Sequence, residues 1–451
     1  MIRLVLLDRV ARALESQLAR SAPNEEGAFC VLREGRGERG TRLIVPAVLA
    51  TPPDAWEAQG PDTLRPSARW VSEAVSRAVT AKAGLLFVHS HPNALHPPGL
   101  SPVDEVAFAA LGRTVSPIID GPFAVAVVHP SGWSAAVWTA GGYRHVDRVQ
   151  SIGRTLRFLS PLPQVTDSPL DARQRDALGV VHDRLRHLHV AVVGSGGLGS
   201  TNAEQVQRMG VAGNKLVDPD VLDTPSNARR VFGSTARHLE VSPAPRKVDV
   251  VADHLDQMEL GPRIERVAAD VRCEAVARKL LDADVVLNGT DTHGSRASLN
   301  DLMSAYFLPV VDAGVRAGSR AGNLLNGLVT EVRVLTPTTP CFWCRGVVNS
   351  DVIRDENLPA AEFERRRREG YTVDGVREPA PSAIALTVLG SGMTTCALLT
   401  LLAEDGEDAP SGYWFDGFFG DAAETKPTEP KETCRCRQVL GLGDTAALCF
   451  L

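Results

Sequence analysis

Lysine is almost missing from this chain: Lys82, Lys215, Lys247, Lys279, Lys426 and Lys431 are the only ones among 48 basic side chains. Codon bias explains that most simply, yet it makes the position of each lysine worth checking. Also absent are internal repeats and low-complexity tracts. No apolar run approaches the roughly 20 residues a membrane helix needs. The amino terminus, Met1-Ile-Arg-Leu-Val-Leu-Leu-Asp-Arg, has too short an apolar stretch for a signal peptide and no small-residue cleavage site. A cytoplasmic protein with no membrane partner is expected. The formal charge of −6 gives no general attraction to nucleic acid.

What is present is a globular composition, 44% hydrophobic and 23% charged, over 451 residues. That length suggests two or three domains. Eight cysteines in a reducing compartment read as metal ligands, nucleophiles or core residues before disulfides. Four of them form two close pairs, Cys341/Cys344 and Cys434/Cys436, while Cys30, Cys273, Cys396 and Cys449 are scattered.

The pattern divides the chain into residues 1–150, a proline-bearing linker at 151–170 and a second domain over 171–451. The first part predicts a helix over Val10–Leu18, strands at Ala28–Leu32, Leu43–Leu49 and Gly84–Val88, and helices at Ala68–Ala81 and Asp104–Leu111. Strands at Phe123–Val128 and Ala135–Trp138 close it. In the second part strands (His189–Val193, Lys215–Val217, Val285–Leu287, Val310–Asp312) alternate with helices (Ser200–Met209, Val248–Leu255). That is the pattern of an α/β fold on a parallel sheet. Arg345 to Pro381 reads as a long polar interval carrying the run Arg365-Arg366-Arg367-Arg368.

His89-Ser-His91-Pro at the end of a strand puts both imidazoles on one face, because side chains alternate along a strand. Asp104, in Ser101-Pro-Val-Asp104, adds a third N/O donor and leaves a fourth tetrahedral position open, as a catalytic zinc requires. Zinc acidifies water, and a general base must take the proton. Glu25 lies just before the Ala28 strand and is the candidate, with Glu26 its rival; Ser101 is the candidate oxyanion donor. An isolated H-x-H is usually incidental, Glu25 alone a solvated turn residue, and Ser101 alone a helix cap. Together they resemble the JAB/MPN metalloproteases (the JAMM motif) over residues up to about 145. The resemblance implies an α+β domain that cuts ubiquitin-like proteins from their targets, with His89, His91 and Asp104 as zinc ligands, Glu25 as base and Ser101 as oxyanion stabiliser. The loop between His91 and Ser101 is longer than the usual family spacing and carries an extra His96.

Gly194-Ser-Gly196-Gly197-Leu-Gly199 follows a strand and opens a helix, and Asp218 ends the next strand at the ribose-binding distance. That alone fits a dehydrogenase as well. The segments that follow, Asp218-Pro-Asp220, Ser226-Asn227-Ala-Arg229-Arg230, Pro245-Arg-Lys247 and Asn288-Gly-Thr-Asp291, suit acyl activation by ATP. Arginine and lysine offset phosphoryl charge, and Asp291 can hold Mg²⁺. In this order they resemble the ThiF/MoeB superfamily, which includes the adenylating domains of ubiquitin-activating enzymes. The match runs from about Asp171 to the carboxyl terminus and implies a Rossmann-like domain with a mixed, mainly parallel sheet. By the resemblance Gly194, Gly196, Gly197 and Gly199 form the nucleotide loop, and Asp218, with Asp220, serves the ribose side. Asn227, Arg230 and Lys247 contact phosphates and Asp291 the metal. Arg173 matches an arginine that reaches into the partner subunit's ATP site, which implies a homodimer.

Cys341-Phe-Trp-Cys344 and Cys434-Arg-Cys436 together predict a closed structural zinc site. No cysteine lies between Arg345 and Thr395, where activating enzymes that form thioesters place one; Cys396 falls in an apolar run, Leu386–Leu402. The expectation is therefore a bifunctional enzyme of a bacterial ubiquitin-like modification pathway using zinc, ATP and Mg²⁺. It would trim or remove a small β-grasp protein and adenylate that protein's terminal carboxylate for direct transfer to a conjugating enzyme or sulfurtransferase. The rivals are sulfur-carrier, peptide or small-molecule carboxylate activation with coupled amide hydrolysis, and a catalytically dead scaffold.

Overall fold

The computed structural model describes residues 1–93, 99–166, 168–320, 324–377, 382–403, 410–424, 429–448 and 450. The chain forms two compact units. The first comprises Met1–Gln164 with the short segments Ala305–Phe307 and Leu440–Ala446, and the second the remainder.

The first unit runs β1 (Ile2–Leu7), α1 (Asp8–Arg20), β2 (Gly27–Arg36), β3 (Thr41–Val48), β4 (Trp56–Gly60), β5 (Thr63–Pro66), α2 (Ala68–Thr80), β6 (Gly84–Ser90), α3 (Pro102–Val115), β7 (Phe123–His129), β8 (Gly132–Thr139), β9 (Gly142–His145), β10 (Arg148–Ile152) and β11 (Leu156–Phe158). Nine strands make one mixed sheet in the order β11-β10-β1-β3-β2-β6-β7-β8-β9, and β4–β5 is a separate hairpin. Its core gathers Phe29, Trp70, Phe87, Phe108 and Phe123. Phe29 packs edge-on against Trp70 at 4.9 Å and tilted against Phe87 at 4.8 Å. Such pairs add to the burial of area.

The boundary expected from the prolines shifts. Residues 151–170 are not a bare linker, because β10 ends at Ile152 and β11 pairs antiparallel to it. Prolines mark chain direction changes, and a three-residue edge strand leaves almost no periodicity to read. The carboxy-terminal boundary shifts too, since Leu440–Ala446 belongs to the first unit: Asp444 accepts from Tyr306 Oη (3.0 Å) and from the Arg36 backbone N–H (3.1 Å). β1, the β4–β5 hairpin, β9, β10 and β11 went unread in the sequence.

The second unit contains α4 (Ala172–Leu178), α5 (Val180–Leu185), β12 (His189–Val193), α6 (Gly197–Arg208), β13 (Gly213–Val217), α7 (Lys247–Asp256), β14 (Glu265–Val267), α8 (Glu274–Lys279), β15 (Val285–Asn288), α9 (His293–Tyr306), β16 (Val310–Arg320), β17 (Leu324–Leu335), α10 (Ser350–Asn357), α11 (Ala360–Arg368), α12 (Ile384–Leu402), β18 (Gly412–Asp416), β19 (Asp421–Glu424) and α13 (Arg435–Gln438). The sheet order is β14-β13-β12-β15-β16-β17-β18-β19, parallel through β16 and antiparallel beyond. This is an α/β, Rossmann-like fold. The strand order reverses at β12, and an open α/β sheet binds ligands outside the carboxyl ends of its strands at such a point.

Two expectations change here. The polar interval after Arg345 holds α10 and α11, whose arginine run is spent on Glu362, Glu364 and Glu369. And one apolar run does reach membrane-spanning length: α12 is 19 residues without a charge, long and apolar enough to cross a bilayer by length and composition. It packs on α6, β16 and β17 with ten residues buried, as a core helix does.

Candidate functional site

In the first unit the pairing of β2 with β6 builds the His–Asp site. Gly27 stands opposite His89, so Glu25, two residues earlier, falls opposite His91 just beyond the strand ends. Glycine is required at 27 because a Cβ there would lie 2.8 Å from the Val88 carbonyl and 3.0 Å from Trp56 and Leu64 of the hairpin. Ser90, between the histidines, points to the other face and accepts from the Glu26 N–H at 3.0 Å. Asp104 arrives from the first turn of α3, fixed by a capping box: Ser101 Oγ accepts from the Asp104 N–H (3.1 Å) and Asp104 Oδ2 accepts from the Ser101 N–H (2.8 Å).

His89 Nε2 and His91 Nε2 converge to 3.0 Å, with Asp104 oxygens 3.4 and 3.2 Å from them respectively. Zinc bonds near 2.0–2.1 Å give a tetrahedral edge of about 3.3 Å, so the three donors fit that ion. Burial lowers the His89 pKa. Burial also lowers that of His91, but the hydrogen bond and charge of Asp104 and the charge of Glu25 outweigh it and leave His91 raised. Glu25 Oε1 lies 3.8 Å from His91 Nε2, and burial pushes its carboxyl up to about 7 against the pull of His91. Glu26 is turned away and occupied, accepting from Ser21 Oγ (2.8 Å), Gln59 Nε2 (3.2 Å) and the Gly27 N–H (3.0 Å). The structure therefore brings Glu25 and not Glu26 to the cluster. What it shows of Ser101 is the helix cap. His96 lies outside the described residues.

The four paired cysteines meet in the second unit. Cys341 Sγ lies 3.5 Å from Cys344 Sγ and 3.6 Å from Cys434 Sγ, and Cys344 Sγ 3.8 Å from Cys436 Sγ. Zinc–sulfur bonds near 2.3 Å give an edge of about 3.8 Å. Backbone N–H groups of Cys344 and Lys431 point at the sulfurs of Cys341 and Cys344. The donor set fits a closed structural ion.

A cavity of about 510 Å³ opens at the strand ends of the second unit. It brings together Gly194, Gly196, Gly197, Asp218, Asp220, Asn227, Arg230, Lys247 and Asp291, drawn from five separated stretches of sequence. Gly194 takes φ +89°, and a Cβ on Gly199 would sit 1.6 Å from the Gly194 carbonyl, so this turn admits no side chain there. Asp218 is buried, with its pKa raised by that burial, and its carboxylate accepts from the backbone N–H groups of Ser195 and Asp220. In this structure it braces the glycine loop, a role the sequence did not suggest. Lys247 Nζ donates to Asp220 Oδ2 at 2.6 Å. Arg230 donates to Asn227 Oδ1 at 3.0 Å, while its buried Nε has no partner among the described residues, as a group awaiting an anion would. Arg173 is exposed on α4 and is not part of the lining. The lining also includes Asp270, Arg272, Arg296, Ser382 and Thr387, none of which the sequence singled out. They sit outside any compact motif.

This is a Rossmann-like nucleotide-binding architecture with a glycine loop at the switch point. The model of the ThiF family matches residues 172–436, and the chain belongs to that family. Among curated relatives, the SAMP-activating enzyme E1 of Haloferax volcanii is 27% identical over 161 residues, 36% of this chain and 54% of that protein. The adenylyltransferase and sulfurtransferase UBA4 of Meyerozyma guilliermondii is 28% identical over 166 residues, 36% of this chain and 35% of that protein. The chain thus spans about half of the first relative and a third of the second. Among solved structures, E. coli MccB with ATP aligns over 61% of this chain and 76% of its own at 13% identity and a TM-score of 0.45. PaaA aligns over 59% and 76% at 18% identity and 0.41.

Proposed function

We propose that the second unit is an ATP-dependent adenylyltransferase acting on the terminal carboxylate of a ubiquitin-like or sulfur-carrier protein. The observation that carries this reading is the cavity itself, which gathers the glycine loop, Arg230, Lys247, Asp220 and Asp291 within one family-defined fold. A carboxylate oxygen attacks the α-phosphorus, the bond to the bridging oxygen breaks, and pyrophosphate leaves. Arg230 and Lys247 offset the growing phosphoryl charge, and Asp291 is placed to hold Mg²⁺. The adenylate passes to an outside nucleophile, a conjugating enzyme or sulfurtransferase, without a thioester on this chain. Arg173, exposed on α4, is assigned to a partner copy's cavity in a homodimer.

The first unit is read as a JAMM-type zinc peptidase that trims or releases the same kind of substrate in the cytoplasm. Support comes from His89, His91 and Asp104 at tetrahedral spacing beside Glu25. A zinc ion there supplies Lewis acidity toward water and the scissile carbonyl. Glu25 takes the proton from water and returns it to the departing amine, and the hydroxyl of Ser101 is assigned to the oxyanion. The Cys341, Cys344, Cys434 and Cys436 cluster is read as a second, structural zinc site. The deciding experiment is pyrophosphate exchange into ATP with and without a small β-grasp protein ending in glycine. Exchange that depends on its free carboxylate and disappears in Asp291→Ala is expected; exchange indifferent to the carboxylate rules the reading out.

A further inference from the structure

The cavity has a second charged wall that the motif residues do not account for. Asp312, at the start of β16, is fully buried. Its Oδ1 accepts from Asn288 Nδ2 at 2.7 Å and pairs with Arg296 Nε at 3.2 Å; its Oδ2 pairs with Arg333 Nη1 at 2.8 Å. Arg333 is held on its other side by Glu331. Arg296 also donates from Nη1 to the backbone carbonyl of Asp291 at 3.1 Å. Two of the three guanidinium nitrogens of Arg296 are thus held, and its Nη2 has no hydrogen-bond partner among the described residues. A planar guanidinium held at two nitrogens offers the third in one orientation.

Its place in the sheet tells what the free edge meets. The glycine loop follows β12, and Asp218 and Asp220 follow β13; Arg230 and Lys247 stand with them. Those groups occupy the phosphate and ribose side. Arg296 belongs to the opposite side, across β15, where the lining is Ala313, Gly314 and Val315; Asp312, next to Ala313 in β16, is buried and not part of the lining. At Gly314 a Cβ would meet nothing closer than Arg333 Nη1 at 4.0 Å. Gly314 leaves this wall open beside Arg296, room enough for a narrow chain end.

Resting on the adenylation reading, we propose that Arg296 binds the carboxylate end of the acyl substrate, a chain ending in small residues, and that Asp312 is the positioning residue that aims it. Two guanidiniums share one buried carboxylate. Removing its charge sets Arg296 against Arg333 and frees Arg296 to turn away from the cavity.

The probe is 5′-O-(N-glycylsulfamoyl)adenosine, a stable mimic of a glycyl adenylate, titrated beside ATP-Mg and AMP into the full-length protein. Arg296→Ala and Asp312→Asn should each weaken the glycyl mimic by about 10- to 100-fold, the loss expected for a hydrogen bond to a charged group, and should weaken ATP much less. Asp312→Glu should recover part of the loss, because it restores the charge; Arg296→Lys should not, because an ammonium cannot keep both fixed edges. Equal weakening of ATP and the glycyl mimic would place Arg296 on the nucleotide and overturn the proposal. So would a glycyl mimic insensitive to either substitution. A wild-type protein that binds the mimic no better than AMP would instead defeat the acyl-adenylate reading beneath it. Asp312→Asn that fails to fold leaves Arg296→Ala, on the partly exposed partner, to decide.

Discussion

Among the described residues two clusters of side chains could hold a metal ion, and they differ in what surrounds them more than in how their donors are spaced. Cys341, Cys344, Cys434 and Cys436 supply four like donors, mostly buried, with backbone N–H groups aimed at sulfur. No coordination position is left over, and residues nearly a hundred positions apart are tied together. His89, His91 and Asp104 supply three donors within sixteen positions, and beside them stands a carboxyl, Glu25, that burial holds uncharged to about pH 7 in the metal-free protein. A closed set gives cohesion. An open set beside a poised base gives chemistry.

That contrast can be broken most sharply at Glu25. Glu25→Gln should keep the metal and lower amide hydrolysis by ~10²–10⁴-fold, the range of general-base catalysis, as metal analysis beside a peptidase assay would read. An inactive Glu26→Gln with an active Glu25→Gln would reverse the assignment the geometry makes. A smaller effect is expected from Cys341→Ser. It should release one of two zinc ions and lower the melting temperature of the second unit by roughly 5–10 °C, as a loss of ~3 kcal/mol does in a domain of this size. Hydrolysis should persist; its loss would show that the sulfur cluster is no mere staple. The smallest effect concerns pH. The Glu25 carboxyl sits at about 7 in the fold against an ordinary 4.5, so the fold favours its neutral form. Its stabilising contribution is present below pH 4.5 and is lost as pH rises toward 7. In metal-free protein, Glu25→Gln should melt with the wild type at about pH 4.5 and above it at about pH 8. Coincident melting at the higher pH would mean that Glu25 is solvated.

The two sites were also unequally legible. His89, His91 and Asp104 could be read because strand alternation and a capping box are local rules, and they fix both ends of that site. The choice between Glu25 and Glu26 was not local. It depends on the register Gly27 opposite His89 and on a hairpin whose partner atoms lie more than thirty residues away. In the nucleotide cavity the glycine loop was legible for the same reason as the histidines, whereas Arg272, Arg296 and Asp312 were not. Arg296 and Asp312 are positioned by partners brought in by sheet order, which a linear pattern does not carry, and Arg272 is held by Asp270 two residues away, in no compact motif. The parallel strands of the second unit announced themselves as apolar runs. The short edge strands β9 and β11 had too few residues to do so.

Ala305–Phe307 and Leu440–Ala446 belong to the first unit, which is therefore built from three separated stretches of chain, with 140 residues (165–304) between the first two and 132 (308–439) between the last two. Bringing those stretches together closes two loops, each against roughly 4 kcal/mol of chain entropy where the intervening residues are unfolded. A fragment ending at Gln164 would lose both of the later segments, and with them the bonds that Tyr306 and Arg36 make to Asp444.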